Sequence, residues 1–166
     1  MPAVRVAAAI LIGVALSGCA LFRPRDRSDE IPPALGDLAR AGFEFAPDVR
    51  FVRDPMMVCD RITCADLVLV SERRTIRLAD GAFSSPSMLR ASLLEIWPRY
   101  ALPRRGNVAD LARGALLVAK DGERVGVTDP EVLREARFAY RQLWREVSSA
   151  ERASLPAPDT LSPEAH

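Results

Sequence analysis

Near its N-terminus the chain carries an unbroken apolar run, Val6 to Leu16, preceded by the basic Arg5 and followed by the small residues Ser17 and Gly18. A basic start, about eleven apolar residues and small residues before a cut make the pattern of a secretory signal. A membrane span needs roughly 20 apolar residues, so the run is too short to be one. Residues 1–18 are therefore expected to be a signal peptide that takes no part in the fold. The remainder has to fold outside the cytoplasm, where disulfides persist. About 148 residues remain for this, enough for one domain with a real core.

The residue after the run narrows the reading further. Leu16-Ser17-Gly18-Cys19 resembles the lipobox of bacterial lipoproteins. The resemblance implies that Cys19 receives a diacylglycerol on sulfur and that the signal is cut before it, the new amino group then being acylated, commonly with palmitate. One acyl chain holds a protein only marginally, at about 0.8 kcal/mol per buried CH₂, whereas two or three anchor it stably. Alanine at position 20, rather than aspartate, resembles the Gram-negative lipoproteins of the outer membrane and implies its inner leaflet, facing the periplasm. Residues 19–33 mix arginine, aspartate, serine and proline, with little to bury, and are expected to be a lipidated, semi-extended tether.

Downstream, the pattern predicts one globular domain over 34–155, with a flexible tail over 156–166. Ala34 to Ala41 suits a short helix stopped by Gly42. The runs 49–53, 66–70 and 75–78 are β-rich, with 71–74 as a hairpin connection and Asp80-Gly81 as a turn. Three helices follow. The first starts at Ser85-Pro86, buries Leu89, Leu93, Ile96, Trp97 and Tyr100, and is disturbed at Pro98. The second is capped by Asn107 and buries Val108, Leu111, Ala115 and Val118, with Gly114 marking a close helix contact. The third starts at Asp129-Pro130 and buries Val132, Ala136, Tyr140, Leu143 and Val147. Arg124 to Val127 reads as an edge strand and Ser148 to Glu151 as a final helical turn. The expected class is α+β, a small sheet from the first half packed on three helices from the second.

Few residues offer catalytic chemistry. The sole histidine is His166, in the expected tail, which removes Ser-His-Asp, Cys-His and histidine-rich zinc sites. The sole lysine, Lys120, sits beside Asp121-Gly122 at a helix end. Asp54, Asp60, Asp66, Asp80 and Glu95 remain as carboxylates for acid–base work, Glu95 standing out between Leu94 and Ile96. No catalytic or metal-ligating set and no cofactor is expected. Thr75 to Leu78, Ala82 to Pro86 and Leu93 to Trp97 also resemble the strand and active-site helix of zincin metallopeptidases. There the glutamate stands between two metal-binding histidines; here Leu94 and Pro98 hold those positions, which implies a relative without metal.

Cys59 and Cys64 are the even pair left once Cys19 is lipidated. A structural disulfide is expected, with free thiols or a redox or metal pair as alternatives, since redox pairs usually have only two residues between the cysteines. A net charge of +1 exerts no bulk pull toward nucleic acid. The third helix nevertheless places Arg134, Arg137, Arg141 and Arg145 on one stripe away from its apolar face. That stripe is either a solvated surface or a face for an anionic partner. The resulting expectation is a lipid-anchored envelope protein with a non-enzymatic binding or assembly role toward a protein, peptidoglycan or lipopolysaccharide. A carboxylate hydrolase, or a metal-less zincin relative, is the alternative.

Overall fold

A computed structural model describes residues 27–70, 73–101 and 108–161. Cys19, Arg104, Arg105, Asn107, His166 and the apolar run lie outside the described residues. The class is α+β, as expected. A 3₁₀ turn, Ser28–Glu30, leads into α1 (Ile31–Arg40). The helix therefore starts three residues inside the stretch expected to be tether. Pro32 and Pro33 do not prevent this, because the first turn of a helix has no use for their missing N–H groups, and Ile31 is buried. Gly42, at φ +92°, closes the helix while the Phe43 N–H reaches back to the Leu38 carbonyl at 2.9 Å.

The sheet has three strands, β1 (Arg50–Asp54), β2 (Ala65–Val70) and β3 (Arg73–Ala79), in the order β1-β3-β2. β2 and β3 are antiparallel, whereas β1 runs parallel to β3, with Val52 beside Arg77. β3 already begins at Arg73, so the hairpin connection is shorter than the four residues expected. Ile76 and Leu78 on the central strand are sealed from solvent.

After a 3₁₀ turn at Asp80–Phe83, α2 (Pro86–Ala101) forms the axis of the molecule, packing on β2 on one side and on α3 (Val108–Asp121) on the other. Ser85 caps it by accepting the Met88 N–H at 3.0 Å. The helix runs through Pro98 to Ala101 instead of ending there; a proline in the last turn forfeits only the bond to the Leu94 carbonyl. α4 (Pro130–Glu146) packs on α3 and is capped by Asp129, which accepts the Glu131 N–H at 2.9 Å. α5 (Ser149–Arg152) is the final turn.

Arg124 to Val127 is not a strand. Glu123–Val125 forms a 3₁₀ turn that ends on Gly126 at φ +85°, and the Val127 N–H returns to the Gly122 carbonyl at 2.9 Å. Val125 and Val127 are both buried, so the alternation was genuine, but it comes from a closed loop that needs no neighbouring strand. Residues 156–161 also differ from a plain tail: Tyr140 donates its hydroxyl to the Pro156 carbonyl at 2.6 Å, Pro158–Thr160 forms a 3₁₀ turn, and Leu161 packs on the core.

Candidate functional site

The acids singled out in the sequence gather around β2, β3 and α2, and most are already engaged. Arg99 donates to Asp66 Oδ1 at 2.7 Å and Arg77 to Asp66 Oδ2 at 3.1 Å. Arg77 also reaches Asp54 Oδ2 at 3.1 Å, while Asp54 Oδ1 accepts the Met56 N–H at 3.0 Å. Arg53 donates to Asp80 at 2.6 Å, a hydrogen bond that holds the Asp80 carboxyl below the usual range. Asp60 is exposed on the loop before β2, where its backbone pairs with that of Thr63.

Glu95 is different. It is 1% exposed, inside α2, and neither carboxyl oxygen makes a well-formed hydrogen bond with the described residues. Burial pushes its pKa up to about 8. Arg99, and then the Thr63 hydroxyl, favour the charged form but do not offset that desolvation; Asp66 adds to the rise. At neutral pH the side chain is therefore a carboxylic acid. Its backbone carbonyl lies so close to Gly114 on α3 that a Cβ there would collide with it. The close helix contact read from Gly114 is this one. Leu94 and Pro98, at the positions where a zincin has histidines, are buried. Among the described residues, no group of three His, Cys, Asp or Glu side chains is placed to hold a metal.

Cys59 and Cys64 stand at disulfide distance, with Cα atoms 4.4 Å apart. The loop they close holds Arg61 at φ +56° and packs its sulfurs against Gly81, where a Cβ would overlap Cys59 Sγ. Arg61 lies over the exposed Phe138 ring of α4 at 4.7 Å. Between this loop, α3 and α4 runs a groove of about 430 Å³, with Arg61, Thr63, Leu111, Gln142, Leu143 and Glu146 in its walls. A second, more open depression of about 640 Å³ lies at the other end of α2. There Asp37 binds both Arg90 and Arg40, so its charge is taken.

The outer side of α4 carries the arginine stripe. Arg134, Arg141 and Arg145 are exposed and Arg137 is half-buried. Spacings of three and four place them together on the helix, opposite the buried Val132, Ala136 and Tyr140. Arg134 pairs with Glu131, whereas Arg141 has no ion pair among the described residues. The aromatic residues of the helices serve packing. Trp97 meets Phe43 edge-on at 5.3 Å, and Arg152 lies over Trp144 at 4.6 Å.

Two polar residues escaped the sequence reading. Asp110 is fully buried and takes Arg113 at 2.7 Å; the three-residue spacing was the available signal. Ser87 accepts the N–H groups of Thr128 and Asp129, at 3.1 and 3.2 Å. It thereby fastens the start of α4 to the start of α2, a long-range contact that leaves no trace in local pattern. No family model matches the chain, and neither a curated protein nor a solved structure is significantly similar to it. No helix among the described residues is long and apolar enough to cross a membrane.

Proposed function

We propose that the chain is a lipid-anchored cell-envelope protein whose globular part binds an envelope partner rather than catalysing a reaction. On this reading Cys19 carries the acyl chains and places the domain on the outer membrane, facing the periplasm. The observation that supports binding over carboxylate hydrolysis is the state of the acids: Asp54, Asp66 and Asp80 are held by arginines, and Glu95 is buried away from solvent. An acid–base pair needs two carboxyl groups facing a shared cleft.

The binding face is the stripe of Arg134, Arg137, Arg141 and Arg145, and its partner is an anionic envelope component: a protein, peptidoglycan or lipopolysaccharide. Guanidinium groups grip phosphate or carboxylate with two parallel hydrogen bonds, which confers specificity as well as attraction. Crosslinking in intact envelopes tests this. Arg141→Glu with Arg145→Glu should preserve the fold and lose the crosslinked partner, as high salt should in extracts. Retained crosslinks in a folded double variant would overturn the binding face. Cys19→Ser should release the protein from membranes, and unchanged lipid labelling of that variant would overturn the anchor.

A further inference from the structure

The sheet has two edges of different character. At the β2 end of the sheet, α2 packs on the strand. β1 pairs with β3 on one side only and is the other edge of the sheet. A strand in that position presents unpaired N–H and C=O groups to any chain that can align with it. Two of its outer-face side chains are exposed, Arg50, which makes no ion pair among the described residues, and Val52, at 40%, while Asp54 is half-buried against Arg77. Met56 and Val58, just beyond the strand, are 88% and 86% exposed. Three of the five large exposed hydrophobic side chains among the described residues thus fall within seven positions of this edge.

The occupant is indicated by the strand's own sequence, Arg50-Phe51-Val52-Arg53-Asp54. Laid antiparallel against itself about Val52, it is self-complementary. Arg50 of one copy stands opposite Asp54 of the other, twice by symmetry, where the Asp54 carboxylate is shared with Arg77 of its own chain, and the two Val52 side chains meet on the axis. Arg50, Val52 and Asp54 share one face, as alternate residues of a strand do. Opposite charges directly across two strands attract, and like charges repel. Phe51 and Arg53 lie on the inner face and keep their own-chain partners, Phe45 and Asp80. We infer that β1 is a homodimer interface, joining two copies of this chain edge to edge into one six-stranded sheet.

The contact closes on itself. It is isologous, so one β1–β1 pairing uses up that edge of both copies and stops at two. Pro47 and Pro55 bracket the strand, which limits the register to these five residues. A strand this short buries less than a standard interface of about 1,600 Å², so the dimer is weak in dilute solution and forms at high local concentration.

Arg50→Lys makes the register measurable in the full chain. The substitution keeps the charge and supplies an amine, in a protein whose only other lysine is Lys120. A zero-length carbodiimide link between positions 50 and 54 has to be intermolecular, because in one strand they are about 13 Å apart at 3.3 Å per residue. We expect covalent dimers joined by a 50–54 peptide. In parallel, Arg50→Asp, which sets two acids opposite each other on both sides of the axis, should weaken self-association in sedimentation about tenfold or more. Circular dichroism confirms that both variants fold. A folded Arg50→Lys chain with no 50–54 link, or an Arg50→Asp chain that associates like the wild type, would overturn the interface. Neither readout depends on the lipid anchor or the arginine stripe.

Discussion

Asp66 lies close enough to Glu95 to raise its pKa, and the molecule surrounds the two acids in opposite ways. Asp66, on the partly open flank of β2, is held between Arg77 and Arg99. Glu95 is sealed between α2 and α3 and keeps its proton. The contrast extends to the regions around them. The sheet half carries a cystine, the ion pairs of Arg53 with Asp80 and of Arg77 with Asp54 and Asp66, and arginines lying over Phe83 and Tyr100. The helical half is joined by contact so close that, at Gly114, only a hydrogen fits. Ion pairs also occur on the helices, among them Arg113 with the buried Asp110, so the halves differ in emphasis rather than in kind.

Substitutions can break or sharpen that contrast. The largest effect should come from Gly114→Val. Its side chain would collide with the Glu95 backbone, which cannot move aside as a flexible side chain can, and the helices would have to part. We expect a loss of more than about 3 kcal/mol, read as a collapse of the denaturant midpoint. An unchanged midpoint would show that the helical half is not held by close packing.

Glu95→Gln comes next, and its effect depends on pH. Because the folded protein holds this proton up to about pH 8, while an unfolded glutamate releases it near 4.3, the native state binds the extra proton across that window. The stability it confers is complete below the unfolded pKa and falls as pH rises, by on the order of 3 kcal/mol between the unfolded pKa and pH 7. The glutamine variant should lack this slope and be the more stable form at pH 8. If the two proteins lose stability in parallel, Glu95 is not the buried acid described.

The sheet half should respond less. Cys59→Ala with Cys64→Ala should cost about 2 kcal/mol, the chain-entropy value for so short a loop, with the groove beside α4 loosening before the helices do. Hydrogen exchange should locate the loss at residues 60–63; a uniform loss across α2 and α3 would erase the distinction between the halves. Smallest of all, Asp66→Asn should cost about 1 kcal/mol or less, since the pair is partly exposed, and less still in high salt. A cost of several kcal/mol there would mean that the ionic flank carries the fold.

Much of the helical half was legible in the sequence because its signals are local. Ser85-Pro86 and Asp129-Pro130 announce their helices, and Gly114 announces the contact. The sheet was legible only as strands. That β1 lies parallel to β3, with β2 between them in sequence but not in space, depends on long-range pairing that no short pattern encodes. The buried face of α3 was partly misjudged for a related reason. Val108 and Leu111 fit the apolar stripe, yet both line the groove, while Asp110 lies fully inside beside Arg113. Glu95 was visible as an acid among aliphatics, but its protonation follows from how tightly α3 closes over it.

The attachment of Arg27 and Ile31 to the domain has a consequence for geometry. Arg27 donates to the Phe83 carbonyl, and Ile31 is buried in the core, so the chain is fastened to the domain by position 27. With Cys19 as the anchored residue, eight residue steps separate lipid from protein, and fully extended they reach no more than about 29 Å. That length would be a leash, about the thickness of the hydrocarbon of a bilayer. Under the proposed anchor it would confine the domain to a thin layer against the bilayer, where copies would meet by sliding in two dimensions. A weak edge contact gains most in such a layer, and partners far from the membrane are out of reach.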